Sequence, residues 1–289
     1  MSTNEKNIRL ALPKGRMQEN VLGLLKDAGI RVRSSERGYR PIVSLPGFEA
    51  KILKPQNIVE MLALGSRDVG FAGADWVAEL GVDLVELLDT GFDPVRLVVA
   101  APAELFKNGR LPDKKLVVAS ELECLTRAWI DKSGVDAKFV RSYGATEVFP
   151  PEDADLIVDI AATGSTLCAN KLIVVEELLR SSTRLFASSQ ALEDTDKREQ
   201  LDRLTLVLKS VLEARQRVMV EVNVPKSALE GVIEVLPCMR EPTISPLYGG
   251  NGYAVKAAVP RENLPLVIPE IKRMGGSDVV VTKLAQIVP

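Results

Sequence analysis

The chain has 289 residues, 46% of them hydrophobic and 26% charged, with a formal net charge of -2. That is enough chain for two or three domains with cores of their own, and too little positive excess for nucleic acid to be the expected partner. There is no histidine, which excludes an imidazole base, a Ser-His-Asp triad and a histidine-ligated zinc.

Cys124, Cys168 and Cys238 lie far apart and follow no metal-ligand spacing, so reduced thiols are expected. The opening MSTNEKNIRLALPKGR lacks the continuous apolar region of a secretory leader. No apolar run approaches the roughly 20 residues that span a bilayer, so the expectation is a cytoplasmic protein without a membrane segment. Chemistry then falls to carboxylates, Lys and Arg, hydroxyls, backbone amides and an oxygen-ligated metal such as magnesium.

Strands and helices alternate from the start. Ile8 to Leu12 reads as a strand and Pro13-Lys14-Gly15-Arg16 as a turn, followed by a helix with Met17, Val21, Leu24, Leu25 and Ala28 at helical spacing. Ile58 to Ala63 predicts a short helix, Asp68 to Gly73 a buried strand, and Asp75 stands where it would cap the next helix. Arg96 to Ala101 is an apolar strand. Lys115 to Ala119, Leu122 to Ser133 and Ala137 to Arg141 then predict strand, helix and strand. Asp155 to Ile160 is a strong buried strand, with Ala161 to Leu167 as the loop after it. Leu172 to Leu179 and Thr183 to Ser188 return to β character, and residues 191–217 read as one long amphipathic helix with Leu201, Leu204, Leu208 and Leu212 on one face.

Beyond that helix the rhythm changes. The order is Val218 to Val224 (strand), Lys226 to Leu236 (helix), Thr243 to Leu247 and Tyr253 to Val259 (strands), Leu264 to Met274 (helix) and Val279 to Thr282 (strand). This βαββαβ order is the ferredoxin-like pattern.

Three segments carry candidate chemistry. In DLIVDIAATGSTL, residues 155–167, an apolar strand delivers Asp159 and then a loop of small and hydroxyl residues. Glycine permits close approach to a phosphate, while amides and hydroxyls supply donors. Read alone, the segment also fits a plain strand-to-helix turn. Asp159 beside such a loop suits a ligand carrying a phosphate and a diol. Glu147, after Gly144-Ala145-Thr146, supplies a second carboxylate or is an ordinary surface charge. Lys14 and Arg16 end the first strand, where ligands sit in open α/β sheets, and suit a pyrophosphate or triphosphate or form a solvated basic turn. The glycines of Asp68-Val69-Gly70-Phe71-Ala72-Gly73 leave room for a flat base or simply make a tight turn.

Together these segments resemble the ATP phosphoribosyltransferase family in its long form, over essentially the whole chain. The resemblance rests on ALPKGR, DVGFAGADWV, VVAAP, GATE, DLIVDIAATGSTL and EPTISPL. Lys54-Pro55-Gln56-Asn57 stands where that family usually has Arg and Asp, and Glu121-Leu122-Glu123 replaces an aromatic-proline pair. The resemblance implies an α/β fold with a two-lobed, periplasmic-binding-protein-like catalytic part and a C-terminal ferredoxin-like βαββαβ regulatory domain. Lobe I would take residues 1–100, completed by about 180–212, lobe II residues 101–179, and the regulatory domain residues 213–289.

It further implies transfer of phosphoribosyl from phosphoribosyl pyrophosphate to N1 of ATP, with magnesium. Thr163, Gly164, Ser165, Thr166 and Leu167 would hold the 5-phosphate, and Glu147 and Asp159 would face the ribose hydroxyls, with either able to touch the metal. Lys14 and Arg16 would face the other phosphates, and Asp68 and Gly73 would lie near the second substrate. Histidine would inhibit from the C-terminal domain, around Glu221, Asn223, Met239 and Thr243. A homo-oligomer, dimer and hexamer, is expected. The competing reading from the residues is a two-lobed solute-binding protein without catalysis.

Overall fold

The computed structural model describes residues 7–33, 38–106 and 109–288, which fall into two compact units, Met1–Gly23 with Arg31–Leu201 and Leu24–Ile30 with Asp202–Pro289. The chain opens with β1 (Ile8–Pro13), α1 (Arg16–Asp27), the short pair β2 (Val32–Arg33) and β3 (Ile42–Val43), and β4 (Phe48–Leu53). Then come α2 (Pro55–Ala63), β5 (Val69–Gly73), α3 (Ala74–Leu80) and the long β6 (Leu84–Pro102). β7 (Leu116–Ser120), α4 (Glu123–Ser133), β8 (Ala137–Arg141), β9 (Leu156–Ala161), α5 (Ser165–Ala169) and the long β10 (Leu172–Ser188) follow. α6 (Ser189–Glu193) and α7 (Thr195–Gln216) lead to the C-terminal strands and helices.

The first unit is built on one eight-stranded sheet in the order β4-β1-β5-β10-β6-β9-β7-β8. β1, β4 and β5 are parallel to one another, as are β7, β8 and β9. Their near-continuous apolar sequences follow from burial on both faces: every residue of β5 is buried, and so are Leu156, Ile157 and Val158 of β9. β10 runs antiparallel to β5 and β6 antiparallel to β9, and the two pair antiparallel with each other from Leu172 opposite Pro102 to Ser188 opposite Leu84, so the two sets run in opposite senses.

Three elements extend or divide beyond the sequence reading. β6 begins at Leu84, not Arg96, because Leu84 to Thr90 pair with β10 although their alternation is weak. β10 is continuous where two strands were expected. Ser181 and Ser182 interrupt its apolar run, yet their hydroxyls donate to Asp75 Oδ1 at 2.9 Å and Asp89 Oδ1 at 2.7 Å, so polar side chains are buried there with partners. The long helix breaks at Asp194, whose extended backbone and Oδ1, accepting from the amide of Asp196 at 3.2 Å, start α7 afresh. Asp75 does not cap α3. Gly73 occupies that position, and Asp75 lies buried in the first turn with Ser181.

The second unit contains β11 (Arg217–Pro225), α8 (Leu229–Val235), β12 (Thr243–Pro246), β13 (Gly252–Pro260), α9 (Leu264–Arg273) and β14 (Ser277–Lys283). Its sheet order, β12-β13-β11-β14, with every pairing antiparallel, is the ferredoxin-like arrangement expected from the βαββαβ rhythm. Alternation is plain: Val218, Val220, Val222 and Val224 are buried with Val232 of α8 and Ile271 of α9. Met219, Glu221 and Asn223 take the other face. Among the described residues no helix is long and apolar enough to cross a membrane.

One buried ionic network pins the start of α7 to the sheet. Asp68, 1% exposed just before β5, accepts from Arg9 Nε at 2.9 Å, from the Arg9 amide at 2.7 Å and from Lys197 Nζ at 2.8 Å. Burial alone would raise its pKa, but the hydrogen bonds from Arg9 and Lys197 outweigh that and hold it below the ordinary carboxylate value. A depressed carboxylate contributes stability that is present above the unfolded pKa, near 4, and lost as pH falls through the folded one. Asp68→Asn strands two cations, and the expected cost at pH 7 is about 3 kcal/mol. Denaturant titrations of both proteins at pH 7 and pH 3 check this, since the difference must shrink at the lower pH.

Candidate active site

The sheet register decides where ligands can sit. β5 runs out at Gly73, opposite Thr183 of β10. β9 runs out in the opposite sense at Ala161, opposite Arg96 of β6, which itself faces Arg180 of β10. The carboxyl ends of the two parallel sets therefore converge on the same stretch of β10, separated by about three residues, or roughly 10 Å of strand. Ligands of open α/β sheets bind outside such ends. This is the middle of the first unit.

On the β9 side a cavity of about 250 Å³ opens. One wall is the loop after β9, with Thr163, Gly164, Thr166 and Leu167; Glu121 after β7 and Glu147 after β8 line it as well, with Asp159 of β9. The structure thus brings Asp159, Glu147 and the hydroxyl-rich loop together. It refines the loop, since Ser165, Thr166 and Leu167 form the first turn of α5 and only Ala162 to Gly164 are irregular. Gly164 is the N-cap of α5 in the left-handed region at φ 79°, a backbone setting that favours glycine, and no side chain caps the turn. The Ser165 amide is taken by Thr163 Oγ1 at 3.3 Å, and the two hydroxyls lie 2.9 Å apart. Ser165 itself is not among the cavity-lining residues, whereas the Leu167 side chain is buried beneath the loop.

The turn that carries Glu147 is held by its own bonds. Ala145 adopts φ 50°, which turns the chain into the short 3-10 helix Thr146–Val148 and brings Glu147 over the end of β9. Buried Thr146 fixes that turn through a 2.7 Å contact between its hydroxyl and that of Ser142. Glu121 was not expected here. It follows directly on β7, parallel to β9, so its place at a strand's carboxyl end was the signal available in the sequence. Glu79 of α3 is a second buried carboxylate that sequence reasoning missed. Its two oxygens each accept at 3.0 Å from the amides of Cys124 and Leu125, capping the helix that follows Glu121.

Lys14, at the end of β1, is exposed and level with Gly73 by the β1–β5 register, and Arg16 is exposed beside it. At Gly73 a Cβ would press on Asp75 Oδ1, so any larger residue there must displace the carboxylate that Ser181 holds. Asp68 is not brought into the cluster. It lies before the amino end of β5, the far end of that strand, engaged with Arg9 and Lys197.

The charge pattern of the cavity is one-sided. Three carboxylates line it and no lysine or arginine does. Burial first, then the charges of Glu147 and Glu121, push Asp159 up to about 6, against the pull of the Ile160 amide donating to its Oδ1 at 2.7 Å.

In the second unit, Met239 and Thr243 line a separate cavity of about 250 Å³ with Met219, Lys256 and Ala258. Glu221 is ion-paired to Lys256 at 2.7 Å, next to that cavity. Asn223, further along β11, is bonded instead to Asp278 at 3.1 Å and is not brought to it.

Fold and site define an α/β enzyme with a small-residue, carboxylate-faced cavity at its strand ends, joined to a separate βαββαβ module. Comparison with known proteins gives the family. The family model described as ATP phosphoribosyltransferase matches residues 54–210, and that of the HisG C-terminal domain matches residues 214–286. Similar curated relatives named ATP phosphoribosyltransferase include those of Chlorobium luteolum, 36% identical over 96% of this chain and 97% of its own, and Pelotomaculum thermopropionicum, 36% identical over 98% and 99%. A solved structure of the ATP phosphoribosyl transferase (HisG:HisZ) complex from Thermotoga maritima is similar with a TM-score of 0.63 at 26% identity, covering 71% of this chain and 98% of that one. The chain belongs to the ATP phosphoribosyltransferase family, and is an enzyme of phosphoribosyl transfer at the first step of histidine biosynthesis.

Asp159 makes a direct prediction. A carboxyl raised on folding costs stability once pH exceeds its folded pKa, and the cost vanishes below the unfolded value. Asp159→Asn is therefore expected to stabilise the free protein at pH 8 by on the order of 1 kcal/mol and to give no gain at pH 4. Thermal melts of the two proteins at both pH values test it.

Proposed function

We propose that the chain joins N1 of the adenine of ATP to C1 of the ribose of phosphoribosyl pyrophosphate, releasing pyrophosphate, and that histidine inhibits it through the C-terminal domain. The observation that carries this is the one cavity lined by Thr163, Gly164, Thr166 and Leu167 together with Glu147 and Asp159. A phosphoryl group fits the turn, because the Thr166 and Leu167 amides and the Thr163 and Thr166 hydroxyls are donors. The 2- and 3-hydroxyls of a ribose are donors in turn, and the two carboxylates accept them.

The chemistry matches a chain without histidine. Adenine N1 carries a lone pair, so no base is needed to create the nucleophile. As the N1–C1 bond forms, the C1–O bond breaks, and its electron pair leaves on pyrophosphate. C1 becomes cationic on the way, and the negative wall of Glu147 and Asp159 favours that charge. Lys14 and Arg16 suit the phosphates of the nucleotide and the departing pyrophosphate, on the β1 side. The protein's work is placement of two anionic substrates and exclusion of water.

Magnesium fits the cavity's donors, which are hard carboxylate oxygens. Among the described residues no three acidic side chains close into a cage, and this suits an ion held by one or two carboxylates and by substrate phosphates. Glu147 and Asp159 would hold it, and when bound it supplies positive charge against the pyrophosphate. We read residues 1–100, completed by about 180–212, as lobe I and residues 101–179 as lobe II. Residues 213–289 form the regulatory domain, where Thr243 and Met239 line the cavity we assign to histidine. A cytoplasmic homo-oligomer, dimer or hexamer, completes this reading.

Pyrophosphate release from ATP, phosphoribosyl pyrophosphate and magnesium tests the assignment directly, and its absence would reject it. Thr166→Ala is expected to raise the KM for the ribose donor about tenfold and leave that for ATP within twofold, as removal of one hydroxyl bond to a charged group does. Histidine at millimolar concentration should lower the maximal rate without raising the donor's KM, which initial-rate measurements will show.

A further inference from the structure

Tyr39 was singled out by no sequence feature, yet it stands at the cleft end of the sheet with its ring in solvent, 58% exposed. Its backbone carbonyl accepts from the Ile52 amide at 2.9 Å, and the Lys14 amide donates to the neighbouring Leu53 carbonyl at 2.8 Å. Tyr39 and Lys14 are thus anchored side by side on the end of β4. Their side chains meet: Lys14 Nζ donates to the Tyr39 hydroxyl at 3.0 Å and lies 5.0 Å from the ring centroid.

Three facts give this pair meaning. Lys14 is a long, exposed cation whose side chain is otherwise free to wander, and a phenol oxygen that accepts from it fixes the ammonium at one point of the strand end. Among the described residues no acidic side chain is paired with Lys14, so there its charge is oriented without being neutralised. The ring keeps a broad face open to solvent beside that charge, as a platform for a planar base. The hydrogen bond from Lys14 and the charge behind it hold the Tyr39 phenol below its ordinary value.

We propose that Tyr39 is a positioning residue for the acceptor nucleotide: it aims the Lys14 ammonium at a nucleotide phosphate and offers its ring to the purine. The inference rests on the phosphoribosyl-transfer reading. It assigns Tyr39 to the β1–β4 side of the cleft, away from the cavity of Glu147 and Asp159, and so to ATP rather than the ribose donor.

Initial-rate kinetics on the full chain test it, with Tyr39→Phe, Tyr39→Ala, Lys14→Met and the double variant Tyr39→Phe/Lys14→Met. The wild type first establishes pyrophosphate release. If it has none, the transfer reading falls and the inference with it. Given activity, Tyr39→Phe is expected to raise the KM for ATP about fivefold with the KM for the ribose donor unchanged, and Tyr39→Ala to raise it further. In the Lys14→Met background Tyr39→Phe should add nothing to the KM for ATP, because its hydroxyl acts through Lys14. Equal effects on both substrates, no effect on either, or additive effects in the double variant would overturn the proposal. A readout independent of turnover is the phenol titration, obtained as the ultraviolet difference between wild type and Tyr39→Phe in a chain with 4 tyrosines. Lys14→Met must move that titration upward, and an unmoved curve counts against the pair.

Discussion

The antiparallel pairing of β6 with β10 is the constraint on which the rest of the first unit depends. Parallel strands all point their carboxyl ends the same way, so one parallel set offers one edge for ligands. Two sets hung on opposite ends of a shared antiparallel pair point at each other. The register makes this concrete: Gly73 meets β10 at Thr183, and Ala161 meets the pair at Arg96 and Arg180. The loops that follow β1, β5, β7 and β9 are thereby gathered over one short polar stretch. Under the proposed transfer, this arrangement lets each set hold one of two large anionic substrates.

That shared stretch carries its own cost, which the structure meets with hydroxyls. Ser181, Ser182 and Thr183 are buried in the middle of a strand, where apolar residues would be expected. Each hydroxyl has a carboxylate partner: Asp75, Asp89 and Asp93 respectively. These bonds tie β10 to the start of α3 and to β6, so the floor between the two sets is specified by directional contacts as well as by packing. Glu79 extends the same logic, since it caps α4 from α3 and so links the helix after β5 to the helix after Glu121.

Much of this was legible in the sequence, and what was not has identifiable causes. Residues 155–160 and 8–12 are apolar runs that only a buried parallel strand explains, and the valine alternation of β11 specified the second unit's sheet and its covered face. Residues 84–90 hid their strand, because their partners lie on β10, almost 100 positions away in the chain, and pairing overrode a weak local pattern. The loop after Ile160 gave the position of the cavity but not α5, since five residues are too few for a helical period to show. Asp68 illustrates the limit of reading charge by motif. A carboxylate beside a glycine-rich strand looks like a ligand contact, and only the fold reveals Arg9 and Lys197 converging on it. Tyr39 was invisible for the opposite reason: nothing in its neighbourhood along the chain marks it, and its significance comes entirely from Lys14.

The absence of histidine gives the carboxylate wall a further role. No ordinary side chain in this protein titrates between pH 5 and 8 except where the fold makes one do so. Asp159, raised to about 6 by burial and by Glu147 and Glu121, is such a group. A positive charge arriving in that cavity, whether a metal ion or a developing carbocation at C1, pulls the pKa back down and expels the proton. Under the proposed transfer, occupancy and protonation are therefore linked at Asp159. With three carboxylates and no lysine or arginine lining the cavity, a cation or a proton is what lowers the repulsion there. Under the proposed transfer, such a site favours the charge that develops in the transition state over the uncharged sugar of the ground state.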